Sequence, residues 1–113
     1  MSRYSKFKIG DNATIIHEIT KEDIEKFVSL SGDNNKLHVD NEFASKTSYK
    51  RPVVHGMIGA SFISTLIGTK IPGDGALWYS QNIDFLLPVR IGDILTIKAE
   101  ITKMIPRLNS IEL

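Results

Sequence analysis

The sequence contains no cysteine. Disulfides, thiol nucleophiles and cysteine-based metal centres are excluded at once. It also lacks an excess of either charge: 14 basic and 13 acidic residues leave a formal +1. No basic run is long enough to form a patch for nucleic acid or an anionic membrane, so neither is an expected partner. A long hydrophobic run is missing as well. The longest apolar stretch, residues 57–67, is interrupted by Gly59, Ser61, Ser64 and Thr65 and is too short to span a bilayer. The opening MSRYSKFKIG has no apolar core of a secretion signal. The sequon Asn12-Ala13-Thr14 is then read as chance, and the expected location is the cytoplasm. A chain of 113 residues predicts one domain, 1–113, with a single core. No repeat, low-complexity tract or linker divides it.

Within this ordinary composition the patterning is specific. Residues 13–19 alternate and predict a strand with Ile15, His17 and Ile19 on one face. Thr20 and Asp23 form a capping box, with Ile19 and Ile24 placed to staple across it. Ile24, Phe27, Val28 and Ser31 recur at helical spacing, which predicts a helix over 21–30 closed by Gly32. Asp40 caps a short helix over 41–47 with Phe43 and Ala44 inward. Residues 56–69 are apolar nearly all round, which predicts a buried helix. Its small residues Gly56, Gly59, Ala60 and Ser64 allow a neighbour to approach closely. From residue 76 the period becomes two. Leu77, Tyr79, Ile83, Phe85 and Leu87 alternate with polar residues up to the turn signals Pro88 and Gly92-Asp93. Leu95, Ile97, Ala99 and Ile101 alternate again, and SIEL after Pro106 begins a further strand. One buried helix against consecutive strands is an α+β domain. A helix that is apolar on all sides calls for a strongly curved antiparallel sheet around it.

The chemistry concentrates in Ser31-Gly32-Asp33-Asn34-Asn35-Lys36-Leu37-His38. Asp33 and His38 could share a bound water, the imidazole taking a proton near neutral pH and the carboxylate orienting it. Such a pair suits hydration of a double bond, dehydration, or hydrolysis. An Asx-turn at Asp33 and an ordinary loop histidine at His38 explain the same spacing more simply. Gly56, following His55, offers a backbone N–H at a helix start, suited to a polarised carbonyl oxygen; close packing explains the glycine equally well. His38-Val39-Asp40 and His55 offer nitrogen and oxygen ligands but no recognised metal spacing, so no metal is expected. Ser61 and Ser64 lack a nucleophile elbow and are read as packing or substrate-contact residues.

These blocks together resemble the MaoC-like, (R)-specific enoyl-CoA hydratases, the type 2 hydratases, whose pattern is S-G-D-x-N-P-L-H. The resemblance continues through Arg51-Pro52-Val53-Val54-His55-Gly56-Met57, Tyr79-Ser80-Gln81-Asn82-Ile83-Asp84-Phe85 and Pro88-Val89-Arg90-Ile91-Gly92-Asp93. It covers most of the chain. It implies a hot-dog fold, a long central helix wrapped by a curved antiparallel sheet, assembled as a homodimer or higher homo-oligomer. It implies a hydro-lyase that adds water to trans-2-enoyl thioesters of coenzyme A or acyl carrier protein, giving (R)-3-hydroxyacyl thioesters, or runs the reverse dehydration. Asp33 and His38 would activate the water, Asn35 would orient the loop, and the Gly56 N–H would hold the thioester oxygen. Ser64 matches a pocket serine of the family. No cofactor is implied; the thioester carrier is a substrate handle.

Two departures stand out. Lys36 replaces the family's proline and is read as pointing to water, with a carrier phosphate as the alternative. The chain also stops roughly a strand or more earlier than the family does, which predicts a truncated C-terminus, with a naturally shorter sheet as the alternative. The competing readings are a hot-dog acyl-thioesterase and a catalytically silent module that binds acyl thioesters. Acyl chain length, carrier and physiological direction are not legible in the residues.

Overall fold

The computed structural model describes residues 3–113. The chain forms two compact units. One comprises the residues up to 16 with 61–81 and 96–113; the other comprises 17–60 and 82–95. Two strands run through both. These are β1 (Asn12–Glu18) and β2 (Ile94–Glu100), which pair with each other. The bonds at their ends set the direction. In the first unit Gly10 N–H donates to Ile101 O at 2.9 Å and Ile101 N–H to Asp11 O at 2.8 Å; in the second, Ile19 N–H donates to Asp93 O at 2.9 Å and Gly92 N–H to Ile19 O at 2.8 Å. The start of one strand lies beside the end of the other, so the pair is antiparallel. Both strands alternate between exposed and shielded positions, as their period-two patterns predict.

In the first unit the shielded faces supply Ala13, Ile15, Ile97 and Ala99 to a core with Leu66, Ile71 and Ile101, joined by Phe7, Met104 and Ile111. A short antiparallel hairpin of β3 (Lys103–Ile105) and β4 (Ser110–Glu112) sets Met104 opposite Ile111. The incipient strand read in SIEL is β4.

The second unit begins with α1 (Lys21–Ser31), whose start is fastened as the sequence indicated. Asp23 N–H donates to Thr20 Oγ1 at 3.1 Å, and Thr20 N–H donates to Asp23 Oδ2 at 2.9 Å. The same carboxylate oxygen meets His17 Nε2 at 2.7 Å. That side-chain bond holds the Asp23 carboxyl below its ordinary value, against a partial desolvation that raises it. Gly32 ends the helix at φ 77°, a left-handed angle that strains any residue with a Cβ. Its N–H donates to Val28 O at 2.8 Å.

Four expectations need correction. A one-turn helix, α2 (Lys36–Val39), occupies what reads as loop. Asp40 does cap α3 (Asn41–Ser45) through Phe43 N–H at 3.0 Å, but only Ala44 is buried; Phe43 remains 45% exposed. The helix α4 (Gly56–Thr69) has the expected bounds, yet it is not buried all round. Ile58, Ala60 and Leu66 are buried while Met57 is exposed, as are Ser61, Ser64 and Thr65. An apolar side chain is buried only where another element covers it. Finally, residues 76–90 form no strand among the described residues. Alternation makes a segment capable of pairing, but a ladder needs a hydrogen-bonding neighbour. Leu77, Leu86 and Leu87 are left more than four-fifths exposed. No helix among the described residues is long and apolar enough to cross a membrane.

Candidate active site

The loop after α1 is a chain of local side-chain caps. Asp33 N–H donates to Ser31 Oγ, Asn35 N–H to Asp33 Oδ1, and Leu37 N–H to Asn35 Oδ1, at 3.1, 3.1 and 3.0 Å. Asp33 therefore does form the Asx-turn that its spacing suggested. Only one carboxylate oxygen is used, and the residue is exposed, so the second oxygen is accessible. Asn35 is the N-cap of α2; it orients the loop by starting the helical turn that brings His38 round. Lys36 is the first residue of that turn and is exposed. Proline is favoured at a first helical position because the N–H there has no intrahelical partner. This accounts for the family's proline and for the ease with which lysine replaces it.

His38 is tied down by its ring. Nδ1 lies 2.5 Å from Val53 O. A carbonyl can only accept, so Nδ1 carries the proton and Nε2 presents the lone pair. Val53 is itself held, its N–H donating to Leu37 O at 3.1 Å. The chain just before it is clamped by Arg90, whose Nη1 donates to Arg51 O and to Pro52 O (3.1 Å) and whose Nη2 donates to Tyr49 O at 2.9 Å.

His55 is 3% exposed. Its Nε2 lies 2.9 Å from the Asp33 carbonyl oxygen, its ring stacks on His38 at a centroid distance of 3.9 Å, and the tilted Phe27 ring lies 4.8 Å away. One ligand-type atom from each of Asp33, His38 and His55 lies within 4.8 Å of the others. His38 Nδ1 and His55 Nε2 both donate to backbone carbonyls, which leaves the lone pairs of His38 Nε2 and His55 Nδ1 uncommitted. An Asp33 carboxylate oxygen and the His38 Nε2 lone pair are groups capable of acid/base chemistry.

Gly56 begins α4 and is exposed. The His55 carbonyl accepts Ile58 N–H at 3.0 Å, so it points along the helix. In a planar trans peptide the Gly56 N–H points the opposite way, off the helix start. The close-packing explanation for this glycine also holds: a Cβ there would lie 2.8 Å from the Phe85 ring. An open cavity of about 580 Å³ adjoins His38, its largely apolar wall formed by Ile24, Val28, Val39, Pro52 and Ile91.

The structure thus gathers Asp33, Asn35, His38 and Gly56 within one unit. Ser64 falls on the part of α4 that belongs to the other unit, where it is exposed; nothing in the described contacts joins it to the pair. Sequence reading gave no role to Arg90 and offered His55 only as a weak metal ligand. The one sequence signal for either was its place inside the Arg51–Met57 and Pro88–Asp93 blocks.

Comparison with known proteins identifies the family. Residues 10–112 match the family described as MaoC like domain. The chain is 39% identical over 103 residues to an (R)-specific enoyl-CoA hydratase of Rhodospirillum rubrum, covering 91% of this chain and 72% of that protein. A mitochondrial 3-hydroxyacyl-[acyl-carrier-protein] dehydratase of Arabidopsis thaliana is 37% identical over 86 residues, 76% of this chain and 51% of that protein. Among solved structures, the (R)-hydratase from A. caviae involved in PHA biosynthesis superposes with a TM-score of 0.83 at 38% identity, over 87% of this chain and 74% of that one. The fold is therefore the α+β hot-dog that the family resemblance implied.

Proposed function

This chain belongs to the MaoC like domain family, and from that membership we infer that it is a hydro-lyase acting on acyl thioesters. It hydrates trans-2-enoyl thioesters to (R)-3-hydroxyacyl thioesters, or runs the reverse dehydration, with coenzyme A or acyl carrier protein as the handle. The observation that carries this reading is the pairing of an accessible Asp33 carboxylate oxygen with a His38 whose Nε2 lone pair is free.

The steps follow from the geometry. A water held between Asp33 and His38 gives a proton to the pair as its oxygen bonds to C3. The C2–C3 π electrons move onto the thioester oxygen as an enolate. The Gly56 N–H, fixed before the reaction begins, stabilises that charge; one such donor is typically worth about 3–4 kcal/mol. C2 then takes a proton from the pair. Because the hydroxyl and the proton are handled by the same two side chains, both arrive on one face, a syn addition. Asn35 holds the loop; for Ser64 the resemblance to a pocket serine of the family is the one support.

Crotonyl-CoA is the deciding probe. Loss of enoyl absorbance without release of free thiol is the expected result. Thiol release would make the protein a thioesterase, and neither signal would make it a silent binding module.

The working form is proposed to be a homodimer. The unpaired, exposed apolar segment 76–87 supports this, since large exposed apolar patches and free strand-like edges invite a partner. Sedimentation at micromolar concentration should show a dimer; a monomer alone would remove the proposal.

A further inference from the structure

We propose that His55 is the positioning residue that fixes the spacing between the water-activating pair and the oxyanion donor. The proposal rests on the hydratase reading above. In the substrate, the carbon that receives water and the oxygen that receives charge are separated by fixed bonds. An enzyme for this reaction must therefore hold two groups at a matching separation. Here those groups lie on different segments: Asp33 and His38 on the loop and α2, and the Gly56 N–H at the start of α4. His55 is the only described residue bonded to both. Its side chain donates from Nε2 to the Asp33 carbonyl at 2.9 Å. Its ring backs the His38 ring at 3.9 Å. Its own carbonyl, by accepting Ile58 N–H at 3.0 Å, sets the peptide plane that aims the Gly56 N–H.

The rest of its environment serves that role. The residue is buried, and its Nδ1 has no hydrogen-bond partner. Donation to a carbonyl requires the proton on Nε2, so the Nε2–H tautomer satisfies the bond and leaves a lone pair on the buried Nδ1. Nδ1 protonation would bury an unpaired donor, which is costly. The ring is therefore held as a rigid strut between two fixed points. In this role it acts through Asp33, His38 and the Gly56 peptide, so its effect falls on turnover and little on binding.

The test uses the full protein and two side chains of similar reach. His55→Gln keeps an N–H donor, and His55→Met has none. The expected result is that Met lowers kcat by about 10²-fold, the loss typical of a misplacement near 1 Å, with KM changed less than about threefold on the same principle. Gln should recover most of the turnover, with melting temperatures of the two variants alike. Equal kcat for Gln and Met, or a loss confined to KM, overturns the proposal. A measurement on the wild type needs no variant. The ¹⁵N shifts of His55 should report protonated Nε2 and bare Nδ1, and the reverse tautomer overturns the proposal even if both variants fail to fold. An inactive wild type on crotonyl-CoA would instead count against the hydratase reading, and the tautomer measurement would still decide whether the Asp33 tie exists.

Discussion

Asp33→Asn lowers hydration of crotonyl-CoA by about 10²–10⁴-fold, the range typical of one general acid–base group, and leaves the fold intact. The substitution isolates the charge. The carboxylate's structural duty is to accept Asn35 N–H at 3.1 Å, and an amide oxygen accepts that bond equally well. The residue is exposed, so the stability change should stay within about 0.5 kcal/mol. What disappears is the negative oxygen proposed to hold and deprotonate water. His38→Gln should lose turnover to a similar degree. It also removes a ring that donates to Val53 O and stacks on His55, so about 1 kcal/mol of stability should go with it. If both groups act on one water, the double variant is barely slower than the slower single variant, because residues acting as a unit are non-additive. Initial rates of enoyl loss, with melting temperatures, check all three. An Asp33→Asn protein with wild-type turnover would reduce the carboxylate to the turn-former it also is.

What could be read from the residues alone divides along the range of the interactions. The bonds around α1 span three or four residues, from Thr20 to Asp23 and from Val28 to Gly32, so both ends of the helix were legible. The loop was legible as a turn for the same reason. The next step was not: Asn35 caps a single helical turn whose signal is too short to stand out from a loop. The segment 76–87 shows the opposite failure. Its alternation is genuine, but pairing depends on a neighbour that local pattern does not encode. The site residues with long-range partners were the least visible. His55 meets Asp33 22 residues away, and Arg90 reaches carbonyls 38 to 41 residues back. No spacing rule connects such positions. They became visible only as members of blocks that a family resemblance had already marked.

Gly56 carries the other large expected effect, and here the structure changes the experiment. From sequence, Gly56→Pro is the direct probe: it deletes the proposed oxyanion donor at a helix start, where proline is tolerated. In the fold, any Cβ at this position would lie 2.8 Å from Phe85 Cε1 and 3.0 Å from Cδ1. A loss of turnover in Gly56→Pro would then mix a missing N–H with a displaced ring. Phe85 is 61% exposed, so its ring can be shortened without opening the core. The clean comparison is therefore made in a Phe85→Leu background. There Gly56→Ala keeps the N–H and adds only a methyl group, and its turnover should stay within a few-fold of the background. Gly56→Pro adds the same Cβ, with two further ring carbons, and removes the N–H, and its kcat should fall by about 10²–10³-fold, as for loss of one oxyanion donor. The residue before a proline must be extended, as an N-cap residue typically is, so His55 can keep its place and both proteins should fold. Equal turnover of the Ala and Pro variants would mean that Gly56 is there for Phe85 alone, and that the thioester oxygen finds its donor elsewhere.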